Sequence, residues 1–239
     1  NSYRIFSLTK EGAVYTGSGG DKVNPHDFVV RAERHGIPQA RHRVILLGIR
    51  EDVVPQNFQP LEVRQTVKVR EAIGDLPKLR SGLSRKDSLI AWQDAVVAQA
   101  ELVKKALTEL PRASDRRRIG TVLRELLHGN LPYQGRGAIR LGQSLQKEND
   151  FTKQLRDAHL NVILNHEARG HMTSDLGRYL YVAAYAMANG TSPSQEHFPR
   201  ILAPKHKNWF SGAFADRFRV QVANQPSTTV TCHISKDGN

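Results

Sequence analysis

The sequence is poor in the residues that would place it in several common protein classes. A single cysteine, Cys232, occurs among its 239 residues, so neither an internal disulfide framework nor a cysteine-cluster zinc site can form. No apolar run approaches the roughly 18 residues that a membrane-spanning helix needs. Acidic residues are outnumbered, with 23 Asp and Glu against 35 Lys and Arg, for a formal net charge of +12. These deficits favour a reducing compartment and a polyanionic partner, with nucleic acid ahead of a membrane surface.

What the chain does contain predicts a folded protein with strands near both ends. Hydrophobic residues make up 39% of the sequence, which is too many for wholesale disorder. The apolar, partly β-branched run Val44–Ile49 predicts a buried strand, and residues 28–30 predict a short one. Residues 218–222 and 228–234 are also strand-like, which places two further predicted strands at the end of the chain.

The middle of the chain predicts helices. The longest follows Asp87 or Ser88, either of which can accept hydrogen bonds from first-turn N–H groups, and it stops before Pro111. Helices are predicted at about 89–110, at 116–127 and at about 176–188, and a glycine-containing loop is predicted at 130–150. This pattern is typical of a helix-rich α+β protein rather than of repeated βαβ units.

The most specific pattern occupies residues 35–48, His-Gly-Ile-Pro-Gln-Ala-Arg-His-Arg-Val-Ile-Leu-Leu-Gly. A Gly-x-Pro bend delivers Gln39, Arg41 and Arg43 at alternate positions into the predicted strand, which predicts that their side chains share one face. Two arginines at the mouth of a buried strand need anionic or acceptor-rich partners. On residue types alone, an ordinary edge strand with solvated arginines is an equally good interpretation.

The run Gly-Ile-Pro-Gln-x-Arg-x-Arg-Val, followed by an apolar strand that ends in Gly, resembles the eighth conserved motif of the DNA cytosine-5 methyltransferases. Residues 66–77 resemble the stretch after that motif, and residues 226–238 resemble the segment that leads into the ninth. The resemblance implies a fragment of a Rossmann-like methyltransferase, and a chain that begins with Asn1 rather than Met agrees with an excised piece. The implied parts are the late strands of the catalytic domain at 1–77, a target-recognition domain at 78–222, and a strand returning toward the ninth motif at 223–239.

Three catalytic features of that family are missing from the 239 residues. The family's nucleophile is a Cys that follows a Pro, whereas Cys232 follows Thr231 and is interpreted as a small core residue. The Glu-Asn-Val motif and the Phe-x-Gly-x-Gly cofactor loop are also missing, and no strand and helix frame Gly17–Gly20 as a substitute. The family's cofactor, S-adenosylmethionine, is therefore expected to bind largely outside this chain, and the fragment is expected to be inactive alone.

The resemblance also implies how the intact enzyme works. It flips cytosine out of the duplex, because C5 and C6 cannot be reached within the stack, adds a thiolate to C6 and methylates C5. Carried over from the motif, Arg43 hydrogen-bonds the cytosine O2, Arg41 bridges to the missing Glu or to a phosphate, and Gln39 orders the loop. The implied partners are double-stranded DNA and the rest of the same methyltransferase chain, in the cytoplasm of a bacterium beside its nucleoid. A cognate restriction nuclease stays open as a further partner.

Basic residues recur beside aromatic ones in the predicted target-recognition domain. Arg116–Arg118 head a predicted helix, where cations oppose the helix dipole unless an anion is nearby. Other basic residues lie close to Trp209 and Phe218, although solvated surface charge explains each cluster as well. The residues predicted to contact DNA are Arg116, Arg117, Arg118, Arg136, Arg140, Lys205, Lys207, Arg217 and Arg219.

A zinc site and a stand-alone DNA-binding module are two other interpretations of the sequence. His166 and His171 lie five residues apart with Gly170 between them, whereas zinc proteases space their histidines four apart on a helix. The surrounding residues therefore predict a polar junction before the third helix, and no metal site is expected. For the chain as a whole, the alternative is a stand-alone basic DNA-binding module without catalytic activity, in which the eighth-motif match is accidental.

Overall fold

The computed structural model describes residues 2–17, 24–128, 135–142, 149–155, 157, 159–205, 209 and 218–229. The chain divides into two compact units. Unit 1 comprises residues 1–74, 149–152 and 223–232, and unit 2 comprises 75–148, 153–222 and 233–239. Helices and strands both occur, so the predicted α+β class is confirmed.

The secondary structure follows in chain order. The strands are β1 (Tyr3–Phe6), β2 (Val14–Tyr15), β3 (Val29–Arg31), β4 (Gln39–Ala40), β5 (His42–Val44), β6 (Leu47–Arg50), β7 (Gly82–Leu83), β8 (Gly137–Gly142), β9 (Val162–Glu167), β10 (Gly170–His171) and β11 (Ser227–Thr228). The helices are α1 (Val69–Ile73), α2 (Leu89–Ala106), α3 (Ala113–His128), α4 (Asp150–Leu155) and α5 (Thr173–Asn189). Short 3₁₀ turns occur at 25–28, 32–35, 51–53, 107–109, 195–197 and 200–202.

Unit 1 is built from short paired strands. Strand β1 lies between β2 and β6 in an antiparallel sheet, β3 pairs antiparallel with β5, and β4 pairs parallel with β11. Its buried apolar side chains include Phe6, Phe28 and Val30, and the Phe6 ring lies 4.8 Å from the ring of Phe58. The buried Ser7 hydroxyl donates to the Asp27 carbonyl, which joins the end of β1 to the turn before β3.

The prediction of one buried strand over Val44–Ile49 is wrong. Strand β5 ends at Val44 and β6 begins at Leu47, while the Ile45 N–H donates to the Phe28 carbonyl at 3.1 Å. Val44 and Leu46 are 63% and 61% exposed. The physical reason is that burial requires a second layer, and in the described part of unit 1 β5 pairs with β3 alone.

The helices of unit 2 largely follow the predictions. Helix α2 begins after Ser88, whose Oγ accepts the Ala91 N–H at 3.1 Å, and its last turn tightens at 107–109 before Pro111. Helix α3 begins three residues earlier than expected, and α5 ends at Gly190, which takes the left-handed conformation with φ of 69°. In the ranges given above, no helix is both long enough and apolar enough to cross a bilayer.

The core of unit 2 lies where α2, α3 and α5 pack together. Each helix contributes side chains that water does not reach, and aromatic residues close one side of the core. The central members are Val103, Ala106, Ile119, Leu123, Tyr181, Val182, Phe198, Trp209 and Phe218. The Tyr181 hydroxyl donates to the His197 carbonyl, and burial raises the pKa of this phenol. Helix packing rather than a large sheet therefore organises this unit.

Two predictions in unit 2 are wrong. Residues 137–142, expected within a loop, form β8 and pair antiparallel with β9, because a partner about 25 residues further along supplies hydrogen bonds that local sequence does not reveal. Residues 218–222 form no strand, since the Val220 N–H and carbonyl both bond the Ser192 hydroxyl, at 2.9 and 3.0 Å, instead of a neighbouring strand. Cys232 and the strand predicted beyond residue 229 lie outside the described residues.

Candidate functional site

The segment from Gly36 to Arg43 is held by its backbone in unit 1. The 3₁₀ turn at 32–35 ends at Gly36, whose φ of 81° lies in the left-handed region that favours glycine. The Ile37 N–H donates to the Ala32 carbonyl at 3.3 Å, and the Pro38 carbonyl accepts the Ser227 N–H at 2.8 Å. With β4 paired to β11 and β5 to β3, hydrogen bonds fix this segment from both directions.

The three residues predicted for catalysis lie close together but not on one strand. Gln39 is in β4 and half-buried, Arg43 is in β5 and exposed, and the exposed Arg41 lies between them. The Arg41 N–H donates to the Gln39 carbonyl at 2.9 Å, which closes a tight turn centred on Ala40. A continuous strand through all three is therefore wrong, because this turn interrupts the alternation. The Arg43 Nη1 donates to the His42 carbonyl at 2.7 Å.

His42, between the two arginines, is anchored to a carboxylate. Its Nε2 lies 2.7 Å from Oε1 of Glu33, whose side chain is 16% exposed. Partial burial raises the pKa of Glu33, but the hydrogen bonds from His42 and from the Glu33 backbone, with the charges of His42 and Arg31, outweigh it and leave the pKa below its ordinary value. The Glu33 carboxylate therefore anchors β5 through His42, while the side chains of Arg41 and Arg43 stay exposed.

A second polar centre lies in unit 2 around Asp87. Arg80, which is 8% exposed, donates to both carboxylate oxygens of Asp87 at 3.0 Å each, and the Leu83 N–H donates to Oδ1 at 2.8 Å. The Arg80 hydrogen bonds lower the pKa of Asp87; burial opposes them, while the Leu83 bond and the charges of Arg80 and Arg136 act with them. The net result is a pKa of about 2. Asp87 is thus a permanent anion in the physiological range.

Arg136 completes this centre from the base of the β8–β9 pair. Its guanidinium lies 3.5 Å from Oδ2 of Asp87 and donates to the Ala168 carbonyl at 2.9 Å. A Cβ on Gly82 would lie 2.4 Å from Arg136 Nε, so a larger residue there would displace the Arg136 side chain. On the other side, the Trp92 indole N–H donates to Ser81 Oγ at 2.9 Å. Arg80, Ser81, Asp87, Trp92 and Arg136, called here the Asp87 cluster, join the β8–β9 base to the start of α2.

Arg136 and Arg140, the two predicted DNA-binding residues near the β8–β9 pair, differ in how their side chains are held. Arg136 is engaged inside the Asp87 cluster, so a contact from it to DNA stays a prediction. Arg140 is exposed on β8, opposite Leu164 of β9. Beside this pair, a shallow cleft of about 530 Å³ is lined by Arg136, Asn165, Glu167, Ala168, Arg169 and Gly170.

The remaining predicted DNA-binding residues differ in how they are held. Arg116 donates to the Leu110 carbonyl at 2.6 Å, Arg118 lies 2.7 Å from Oδ1 of Asp115, and Arg117 is exposed. Lys205 and Arg219 are exposed. Lys207 and Arg217 lie outside the described residues.

The histidines beside α5 sit in a polar junction, as predicted. His166 Nε2 is 2.7 Å from the Pro77 carbonyl, and the His171 ring packs edge-on against Tyr179 at 5.0 Å. Burial lowers the pKa of His171, Asp175 raises it and two arginines lower it, with a net decrease. Asp175 itself is buried and paired with Arg178. Within the described ranges, no group of three or more His, Cys, Asp or Glu side chains is arranged to hold a metal ion.

The sequence did not predict the Asp87 cluster. It singled out one member, Arg136, but as a contact to DNA. Arg80 and Asp87 lie seven residues apart in a stretch that otherwise suggests only a helix cap. The available signal was this pair of opposite charges just before Ser88, which does not indicate by itself that the pair is buried.

Comparison with known proteins adds an independent observation. Residues 24–207 match the family model described as C-5 cytosine-specific DNA methylase. The Type II methyltransferase M.MthTI of Methanothermobacter thermautotrophicus is 38% identical over 60 residues, which is 25% of this chain and 18% of that protein. The aligned stretch is thus less than a fifth of that relative's length. No solved structure matches the chain.

Proposed function

The chain belongs to the C-5 cytosine-specific DNA methylase family, and from this premise we propose that it is the DNA-binding and target-recognition part of a DNA (cytosine-5) methyltransferase. The observation that carries the proposal is the segment from Gly36 to Arg43. Its backbone is fixed by the β4–β11 and β3–β5 pairs, whereas the side chains of Arg41 and Arg43 are exposed. A fixed backbone that presents cations suits a site where negative charge develops, because the donors need little reorganisation.

The proposed roles follow from where charge appears on the target ring. When a thiolate adds to C6 of a flipped cytosine, electron density spreads toward N3 and O2. We assign Arg43 to O2, where a guanidinium stabilises the transition state more than the neutral ground state. Arg41 is assigned to a phosphate or carboxylate beside the flipped nucleotide, and Gln39, half-buried in β4, to ordering the loop.

Members of this family take the methyl group from S-adenosylmethionine. In the described residues of unit 1, no strand leads through a glycine-rich turn into an α-helix, and the paired strands are antiparallel apart from β4–β11. A cavity of about 510 Å³ in unit 1 is lined mostly by polar and charged side chains, among them Arg4, Lys10, Glu11 and Glu51. The described residues of unit 1 thus form no glycine-rich loop for the cofactor, and no step is assigned to it in this chain.

We further propose that the 239 residues bind DNA without methylating it. The sequence contains no Pro-Cys nucleophile, no Glu-Asn-Val and no Phe-x-Gly-x-Gly loop, and its Cys232 follows Thr231. The family match over 24–207 removes the alternative that the motif is accidental. A cognate restriction nuclease stays a prediction.

A two-part measurement on the 239-residue chain tests this function. Fluorescence anisotropy with labelled duplex DNA should show binding at 50 mM salt. For a surface that neutralises five phosphates, affinity should fall about 500-fold by 200 mM salt, from a slope of about −0.9 per contact. Labelled S-adenosylmethionine should leave no label on the DNA. The DNA-binding role is overturned by an absence of binding at 50 mM salt, and the inactivity by incorporation above a protein-free blank.

A further inference from the structure

The fold separates the three consecutive arginines that begin the basic part of α3. Arg116 turns inward to the Leu110 carbonyl at 2.6 Å, and Arg118 is paired with Asp115 at 2.7 Å. Arg117 is exposed on the remaining side of the helix. Two of the three guanidinium groups therefore serve the helix and its entry turn, so the triplet does not act as one anion site.

A different set of side chains forms a row along the exposed face of α3. Arg117, Thr121, Arg124 and His128 follow one another at intervals of four, three and four residues, which places them on one side of a helix. All four are exposed, whereas Ile119 and Leu123 on the opposite side are completely buried. We refer to these four residues as the α3 row; the sequence predictions included only Arg117.

The α3 row is arranged before any ligand arrives. Arg124 Nη2 donates to Thr121 Oγ1 at 3.2 Å, which orders the guanidinium and leaves the threonine hydroxyl hydrogen free to donate to an anion. Ordering a long side chain in advance reduces the entropy lost on binding. Of the nearby acidic residues, Asp115 is mostly buried and paired with Arg118, and Glu125 lies on the flank of the row.

We propose that the α3 row binds the phosphate backbone of duplex DNA, an inference that rests on the proposed DNA-binding function. Arg117 and Arg124 are seven residues apart, or about 10.5 Å along the helix axis at about 1.5 Å per residue. One strand of the duplex carries one phosphate for about every 3.4 Å of duplex axis, so this separation exceeds the spacing of neighbouring phosphates along that axis. The two arginines therefore reach separate phosphates, with the Thr121 hydroxyl between them. Such contacts position the protein on the duplex without reading its sequence.

The test compares salt dependence in two double variants of the 239-residue chain. Arg117→Gln/Arg124→Gln removes both cations of the row, and Lys104→Gln/Lys105→Gln removes two exposed cations from α2 in the same unit. Anisotropy titrations from 50 to 200 mM salt give the slope of log K against log salt. The α3 variant should lower the slope by about 1.8, from about 0.9 per lost phosphate contact, and the α2 variant by much less. Arg117→Lys/Arg124→Lys should keep the wild-type slope within about 0.3, because a point charge suffices at a phosphate.

The outcomes separate this inference from the proposed function. Wild-type chain that does not bind DNA at 50 mM salt refutes the proposed function and with it this inference. If the wild-type chain binds DNA and the α3 and α2 variants have equal slopes, phosphate binding by the α3 row is refuted while the proposed function stands. Melting curves should coincide, since substitutions at exposed helix positions change stability little. Should the double variant melt lower, the single variants Arg117→Gln and Arg124→Gln serve instead, each with a slope about 0.9 lower.

Discussion

Asp87→Asn tests whether the Asp87 cluster stabilises unit 2. Asparagine keeps the size of the side chain but removes the charge that faces Arg80 and Arg136. Arg80, at 8% exposure, would then keep a buried guanidinium without its anion. An asparagine oxygen can still accept the Leu83 N–H, so the variant reports mainly on the loss of charge.

The magnitude follows from the pKa of Asp87 and from the burial of Arg80. A fall in the pKa from 3.8 to about 2 corresponds to roughly 2 kcal/mol of stability at pH 7. Leaving a buried partner uncompensated typically costs about 3–5 kcal/mol. We therefore expect Asp87→Asn to lower the free energy of unfolding by about 3 kcal/mol, which lowers the Tm of a chain of this size by roughly 6–12 °C.

The pH dependence has a definite sign. Because the folded-state pKa of Asp87 lies below its ordinary value, the stabilisation is fully present above about pH 4 and is lost as the pH falls through about 2. Asparagine does not titrate. The difference in Tm between wild type and variant should therefore be largest at pH 7 and become small near pH 2.

Circular dichroism melts at pH 7, 4 and 2.5 measure these differences. Asp52→Asn is the matched control, because Asp52 also pairs with an arginine, Arg50, but is 62% exposed; its Tm should change by less than about 2 °C. The reasoning is refuted by an Asp87→Asn protein that melts within 1 °C of wild type at pH 7, taking about 1 °C as the error of a melt, or by a Tm difference that does not shrink on acidification.

Four further substitutions test the packing of unit 2. Gly82→Ala places a Cβ 2.4 Å from Nε of Arg136, whose guanidinium is held by Asp87 and by the Ala168 carbonyl. In urea denaturation the free energy of unfolding should fall by about 1–2 kcal/mol. An unchanged urea midpoint would contradict this contact. Gly177→Ala places a Cβ 2.5 Å from Gln99 Oε1 between α5 and α2, so the Gln99 side chain must move and urea denaturation should show no gain in stability. Gly120→Ala in α3, whose nearest atom would be 3.6 Å away, should be stabilising by up to about 1 kcal/mol. Equal effects for those two alanines would argue against close α2–α5 packing. Ile119→Ala removes a fully buried side chain and should cost about 2–5 kcal/mol in the same assay; a loss below about 1 kcal/mol would mean that Ile119 is not in the core.

The sequence predicted the helices of unit 2 well because their ends depend on neighbouring residues. Ser88 accepts the Ala91 N–H, and Gly190 takes the left-handed conformation that ends α5, so both signals lie within a few residues of the helix end. Local hydrogen bonding and backbone conformation are readable without knowledge of the tertiary fold.

Features set by distant partners were not predictable in the same way. Strand β8 exists because it pairs with β9, and Val44 is exposed because the described part of unit 1 supplies no layer over it. The same limit applies to charged groups. Arg116 and Arg117 are adjacent in sequence, yet one donates to the Leu110 carbonyl and the other is exposed, which follows from the packing of α3 and not from residue type.

The candidate site was predicted by motif rather than by geometry. The Gly-Ile-Pro-Gln-x-Arg-x-Arg pattern located Gln39, Arg41 and Arg43 and predicted the family that the match over 24–207 bears out. The turn centred on Ala40, which places Gln39 and Arg43 in different strands, could not be inferred from period-two alternation. Their catalytic roles stay predictions.

The most direct test of the account is the single-turnover rate of methyl transfer by the polypeptide that the complete reading frame encodes, with Arg43→Ala against wild type. If Arg43 donates to the cytosine O2 as charge develops, the rate should fall about 100- to 1000-fold, while DNA affinity changes far less because phosphate contacts dominate it. Arg43→Lys should recover only part of the rate, and Arg50→Ala, which removes an exposed arginine paired with Asp52 in the same unit, should leave it unchanged. An Arg43→Ala protein with the wild-type single-turnover rate would contradict the account.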